Sequence, residues 1–345
     1  MNKKTLIIII SIALLAGLIT TVIFVLKSSS IQKPAPSVGG GVSDKFLYYF
    51  SDLDNSFYRT TQNENQKVIS ITYTPAEVSF SANNTKALII GSLQDLSRPI
   101  DLVDLNKLQL FTLDPRILNA SLSPDGQNIA YHYFDEQAAV NELRYSDLQH
   151  SKIKTLQDIG MSDTSEYFEL YSLEFISNTE VVTFPVFRDI SDVDLTLFNT
   201  SGNSSSVLTT APIIDLIASP HGQKVALVLA GNVGSADLES SLEKINEGII
   251  WFMDMSGNKT PTNIKASANH IAWSTNSDKL YVIVKYPSDE NALLEVYPDG
   301  RTNTIANDLQ IGGIVTQISV TKDDKNLIIV TDGNVSNINL NSTTN

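Results

Sequence analysis

One pattern dominates the sequence: a strand, a tight polar turn and a second strand, met six times along the chain. Its clearest copy is "SLSPDGQNIAYHYF", from Ser121 to Phe134. In Ser123-Pro124-Asp125-Gly126, Pro124 presets φ for the second position of a type I turn and Asp125 suits the third. Gly126 can take the left-handed conformation that a short hairpin needs. The "NIAYHYF" that follows is apolar and aromatic, too short for a helix and bounded by turn signals, as a buried strand is. Related stretches begin at Ser79, Leu173, Ile217, Ile271 and Ile318. Aligning Ser81, Ser123, Ile176, Ser219, Ser274 and Thr321 spaces the copies by about 42 to 55 residues, the repeat length of a propeller blade.

Each hairpin is followed by an apolar strand, a polar turn with Asp, Asn or Gly, and another short strand, as in "IIWFMDMSGNKTPTNI" from Ile249 and "LLEVYPDGRTNTIA" from Leu293. Each unit therefore offers four strands. A sheet of that size cannot bury both faces alone, and radial stacking gives every face a neighbour. Before the first full hairpin, the stretch from Lys45 supplies the last three strands of another unit, whose innermost strand would have to come from the glycine-rich "SVGGGV" at Ser37. At the far end, "NVSNINL" from Asn334 is a third strand with no fourth. The expectation is an all-β propeller over residues 45–345, of seven blades with six as the alternative.

From Thr5 to Leu26 the chain is uncharged and apolar over about 22 residues, enough for a helix to cross the ~30 Å hydrocarbon core of a bilayer. The run ends in "FVLKSSS", without the small residues of a cleavage site, so a retained signal anchor is expected over 5–26, behind a short tail at 1–4. Lys3 and Lys4 precede the run and Lys27 and Lys33 follow it, a slight bias that places the N terminus inside and the propeller outside. Residues 27–44 have the Ser, Pro and Gly composition of a flexible tether.

The Ser-Pro-Asp-Gly turn, followed by a small-apolar-aromatic strand and a strand ending in an Asp-containing turn, resembles the WD-like repeats of the TolB family and of the propeller domains of prolyl oligopeptidase relatives. Ser123, Pro124, Asp125, Gly126 and Ala130 carry the resemblance in one repeat, and Ser219, Pro220, Gly222 and Ala226 in another. Other copies depart from it, with Asn84 or Asp324 in the glycine position. The resemblance implies the fold and a binding role in the cell envelope, and it names no partner.

The chain carries a formal charge of −14, and because residues 1–44 hold four lysines and one aspartate, the remainder carries −17. That balance argues against nucleic acid and anionic lipid as partners of the propeller and suits solubility, cation tolerance or a basic partner. The four histidines, His132, His150, His221 and His270, show no metal-ligand spacing, and there is no cysteine. No Gly-x-Ser-x-Gly occurs. Two acidic stretches, one with Asp52 and Asp54 and one with Asp189, Asp192 and Asp194, read as solvated turns, since neither completes a calcium loop. The stretch from Gly234, with Leu238, Leu242 and Ile245 at helical spacing, reads as a short amphipathic helix on the rim or a docking element. No catalytic, cofactor-binding or metal-binding residue is singled out, and the binding residues are not readable.

The function expected is a membrane-anchored, extracytoplasmic binding or scaffolding propeller of the bacterial envelope, not an enzyme and without a cofactor, taking a protein, peptide or glycan partner. The alternative is an envelope hydrolase or lyase. It would need acidic, basic or aromatic side chains converging on the channel with strongly perturbed pKa values.

Overall fold

The structure is a computed structural model that describes residues 47–340, apart from 52–53, 61–64, 82–84, 93–97, 162–169, 187–191, 203, 231–246, 287–289, 322–323 and 332–333. The apolar run, the tether, the "SVGGGV" strand and the amphipathic stretch from Gly234 all lie outside the described residues except for its last two, Glu247 and Gly248. Among the described residues no helix is long and apolar enough to cross a membrane.

Seven antiparallel sheets follow one another along the chain, five of four strands and two of three. These are the blades of a propeller. Blade 1 has strands Leu47–Ser51, Ser56–Thr60 and Asn65–Ser70, the last exposed as an outer strand should be, so among the described residues it lacks an inner strand. Blade 7 begins on its inner strand, Val315–Val320, and ends at its third, Asn334–Asn339. The two incomplete units fall where the sequence places them, and the blade count is seven.

Apolar side chains explain the stacking. Six core clusters each join one blade to the next. Phe50 and Phe57 of blade 1 pack with Ala87 and Ile89 of blade 2, while Leu88 and Ile90 on the other face of the same blade 2 strand pack with Ile129 and Tyr131 of blade 3. The series continues through Leu143 with Phe175, Phe184 with Leu227, Phe252 with Trp273, and Tyr281 with Ile329. Strand alternation sends successive residues to opposite faces, so each second strand feeds two clusters at once and reads as a continuous apolar run.

The repeated serine has a definite task. In five blades the hydroxyl at the first turn position accepts the backbone N–H five residues on: Ser81 from Lys86 at 3.1 Å, Ser123 from Asn128 at 2.9 Å, Ser219 from Lys224 at 3.1 Å, Ser274 from Lys279 at 3.2 Å and Thr321 from Asn326 at 3.1 Å. Ile176 occupies this position in blade 4, where the hairpin instead bulges between Phe175 and Ser177. A second repeated letter ends the third strand: Asp104, Asn199 and Asp254 accept N–H groups of their own turns.

Neighbouring hairpin turns are also stitched together. The Asp125 N–H donates to Asn178 Oδ1 at 3.0 Å, the His221 N–H to Ser277 Oγ at 3.1 Å and the Thr275 N–H to Asp324 Oδ1 at 2.9 Å. Ser277 and Asp324 hold φ of 58° and 51°, so the acceptors stand where the other turns use glycine. In those copies an inter-blade hydrogen bond offsets the left-handed strain of a non-glycine residue.

Gly222 shows how little room the turns leave: it has φ of 66°, and a Cβ there would sit 2.1 Å from the Ile176 carbonyl oxygen of blade 4. At Gly126, with φ of 65°, the nearest atoms would be side chains at 3.1 Å. Gly222→Ala is expected to cost at least about 2 kcal/mol and Gly126→Ala less, read as the order of their thermal unfolding midpoints below wild type. Equal midpoints would mean that backbone contact between the turns does not limit blade spacing.

Candidate functional site

The inner strands place one set of side chains around the central channel. Register fixes which positions are equivalent. Glu77 pairs with Ile90, Asn119 with His132, Ser172 with Phe184 and Asp215 with Val228, which puts these four in one layer. Two residues nearer the turns, Ser79, Ser121, Glu174, Ile217, Ala272 and Ser319 form the next layer. Just before Glu77, Asn119 and Asp215 the strand carries a bulge. Such an extra residue bends a strand and re-aims the side chain that follows it.

Three carboxylates stand on these inner strands, from blades that are not all neighbours, within electrostatic influence of one another: Glu77 of blade 2, Glu174 of blade 4 and Asp215 of blade 5. They are walled in by protein, yet Glu77 and Asp215 keep surface open to water and Glu174 is half-buried. Opposite them, Arg98 donates from Nε to the Leu118 carbonyl of blade 3.

The electrostatics follow from that crowding. Burial pushes the Glu77 carboxyl up, the charge on Asp215 adds to it, and Arg98 partly offsets both. Glu174 is pushed up to about 8, first by burial and then by Glu77 and Asp215, against one weak hydrogen bond from Ser121 Oγ at 3.4 Å. Burial also raises Asp215, although the Leu216 N–H donates to it at 2.7 Å. Arg98 is lowered by burial and partly restored by Glu77. Burial first, and the neighbouring charges on Glu77 and Asp215 second, keep Glu174 protonated near neutrality.

The histidines take other parts. His132 is fully buried between blades 3 and 4. Its Nδ1 accepts the Tyr171 N–H at 3.4 Å, so Nε2 carries the proton and donates to Asn141 Oδ1 at 2.7 Å. Burial lowers its pKa to about 4. It is a neutral strut. His150 sits at a turn against Tyr131, His221 in a hairpin turn, and His270 in the short 3₁₀ turn Ala268–His270. Of the two acidic stretches, Asp52 and Asp189 lie outside the described residues. Asp54 is bound by Tyr58 and Lys67 at 2.7 and 2.9 Å, and Asp194 by Thr210 at 2.5 Å. Among the described residues no three His, Asp or Glu side chains are placed to hold one metal ion. A separate cavity of about 70 Å³, lined by Lys154, Leu156, Phe198 and Ser204, is far smaller than the hundreds of Å³ typical of an organic ligand site.

None of Glu77, Arg98, Glu174 and Asp215 was singled out by sequence. For Glu174 and Asp215 the signal was a lone charge in an otherwise apolar inner strand, as in "LEFIS" and "IIDLIA"; Arg98 lies outside the inner strands and carried no such signal.

Fold and site define a class: an all-β propeller of seven blades with an acidic constellation in its channel. No family model matches the chain, and no curated protein sequence matches it. Solved structures do. An oligogalacturonate lyase in complex with manganese aligns at 12% identity over 88% of this chain and 88% of its own, with a TM-score of 0.60. The β-propeller domain of Swd1 from Myceliophteria thermophila aligns at 10% identity over 89% and 97%, with a TM-score of 0.58. TolB from Acinetobacter baumannii aligns at 14% identity over 77% and 64%, with a TM-score of 0.49. At these identities the likeness shows the seven-bladed propeller fold. Enzymes and non-enzymes both stand among its structural neighbours, so the fold leaves the chemistry to the site.

The titrations have opposite signs. A histidine held neutral in the fold is protonated first in the unfolded chain, so the contribution of His132 is lost as pH falls from about 6.5 to about 4. A carboxyl held neutral in the fold ionises first in the unfolded chain, so the contribution of Glu174 is lost as pH rises from about 4.5 through about 8. Glu174→Gln is therefore expected to match wild type in thermal midpoint near pH 5 and to exceed it increasingly towards about pH 8. A gap that is constant with pH would mean that Glu174 ionises freely in the channel.

Proposed function

We propose that this chain is a membrane-tethered, extracytoplasmic binding or scaffolding module of the bacterial cell envelope, which presents its propeller to a protein, peptide or glycan. One observation carries the binding role: Glu77, Glu174 and Asp215 converge on the channel with Arg98 as the cation beside them. Confined like charges destabilise a fold, and a ligand that neutralises them gains what the empty site loses. Leu108, Leu110 and Phe111 are exposed at or beside the outer strand Gln109–Thr112 of blade 2, apolar surface open to a partner. The tether reading rests on the apolar run at residues 5–26 and the Ser/Pro/Gly segment at 27–44.

A second reading, an envelope hydrolase or lyase, is favoured by the unequal protonation of the same carboxyls. Glu174, neutral near pH 7 with its pKa at about 8, has the form of a general acid, with the Glu77 and Asp215 carboxyls within its electrostatic reach. The binding role takes precedence because these side chains show neither a hydrogen-bonded nucleophile nor a metal-ligand set.

Proximity labelling separates these readings. With a labelling enzyme fused at the C terminus, the full chain should enrich a small set of envelope proteins that residues 1–44 alone do not. Cytoplasmic proteins in that set would refute the topology, and no difference from the tether alone would leave the enzyme reading in its place.

A further inference from the structure

We propose that the turn joining the first two strands of blade 1 binds a hard cation, calcium, through Ser51 Oγ, Asp54 Oδ1 and Asn55 Oδ1. The site uses none of the channel acids. One observation carries it: among the described residues these are the only buried side-chain oxygen or nitrogen atoms without a hydrogen-bond partner, and all three fall between Ser51 and Asn55. Buried polar atoms are paired in native proteins with few exceptions, so three orphans at one turn call for a common partner. Ser51 itself is 2% exposed. Register places these groups. Ser51 pairs with Ser56 across the turn, so both side chains lie on one face of the sheet. Tyr58 and its partner Lys67 share that face, and the Asp54 carboxylate folds over it. Its Oδ2 accepts the Tyr58 hydroxyl at 2.7 Å and the Lys67 ammonium at 2.9 Å, a grip that fixes the carboxylate and leaves Oδ1 without a donor. Asn55 is anchored as well, with φ of 47°, its carbonyl accepting the Ile71 N–H at 2.7 Å and its Nδ2 donating to Thr74 Oγ1 at 3.4 Å.

The donor set selects the ligand. Carboxylate, amide and hydroxyl oxygens, with neither nitrogen nor sulfur among them, suit a hard cation. Calcium accepts such mixed oxygens in flexible geometry, whereas magnesium demands a near-ideal octahedron. The Lys67 ammonium opposes a cation, but its side chain is 44% exposed and water screens it. A single carboxylate already shared with Lys67 sets the affinity at the weak end of calcium sites, with a Kd between about 0.1 and 1 mM. The sequence reads this stretch as a solvated turn because it completes no EF-hand loop. Its buried oxygens give it a different role, that of a hairpin site.

The test uses the full chain in nanodiscs of zwitterionic lipid, with terbium as a luminescent stand-in for calcium. Tyr58 donates to the ligating carboxylate, so terbium at this turn should show saturable tyrosine-sensitised emission, lost as calcium chloride displaces it. Calcium should also raise the thermal midpoint of wild type. Ser51→Ala and Asn55→Gly, which keeps the left-handed backbone, should each weaken calcium binding by at least about tenfold, and Asp54→Asn should abolish it. The Ser51 hydroxyl makes no hydrogen bond within the protein, so Ser51→Ala should match the wild-type midpoint in chelator and fail only to respond to calcium. That separates lost binding from lost folding. Asp299→Asn, at an exposed turn, should bind as wild type does. Calcium affinity unchanged in all three turn variants would place the ion elsewhere and overturn the proposal. Absence of both emission and a calcium-dependent midpoint in wild type would assign the three oxygens to ordered water and overturn it too. Magnesium or sodium chloride displacing terbium as well as calcium does would overturn the choice of calcium.

Discussion

Burial of both faces of every blade is the constraint on which the rest of the structure depends. A single four-stranded sheet has one apolar face too many for water, and among the described residues six clusters resolve this by turning the facing sides of consecutive blades, from blade 1 to blade 7, into shared cores. The second strands feel the constraint most, because their alternate residues serve different clusters. Ala87 and Ile89 go to blade 1 while Leu88 and Ile90 go to blade 3. Hairpin turns then set the angular spacing, through buried hydroxyls within a blade and side-chain acceptors such as Asn178 and Asp324 between blades.

Once the blades are fixed, the inner strands have no further choice about what they bring together. Positions equivalent in register form layers around the axis, and a polar residue in such a layer faces the others whatever its distance along the chain. Glu77 and Asp215 share a layer and Glu174 lies in the next. Nothing in the packing of the blades calls for three acids there; Ser79, Ile217 and Ala272 fill equivalent positions without charge. The acids thus impose an electrostatic cost where neutral residues fit, the pattern expected of a site kept for a ligand.

The fold was legible because its instructions are local. Ser123 to Gly126 specify a turn in four letters, and the same hydroxyl recurs at Ser81, Ser219, Ser274 and Thr321. The partial first and last blades, each with three strands among the described residues, could also be read from the repeat. The site was not legible because it is not local. Glu77 and Asp215 are far apart in sequence, each a single charge in an apolar strand, and only closure of the ring makes them neighbours. Local clustering pointed elsewhere: Asp54 drew notice beside Asp52, and Lys67 and Tyr58 hold it within its own blade.

The central claim is that ring closure forces remote carboxylates into one electrostatic unit. Side-chain carboxyl carbon shifts of the glutamates, followed by nuclear magnetic resonance against pH, measure it most directly. A glutamate should titrate at about 8, above the ordinary carboxylate range, and its signal should vanish in Glu174→Gln. A spectrum in which every glutamate titrates within the ordinary carboxylate range, at about pH 4 to 5, would contradict the account.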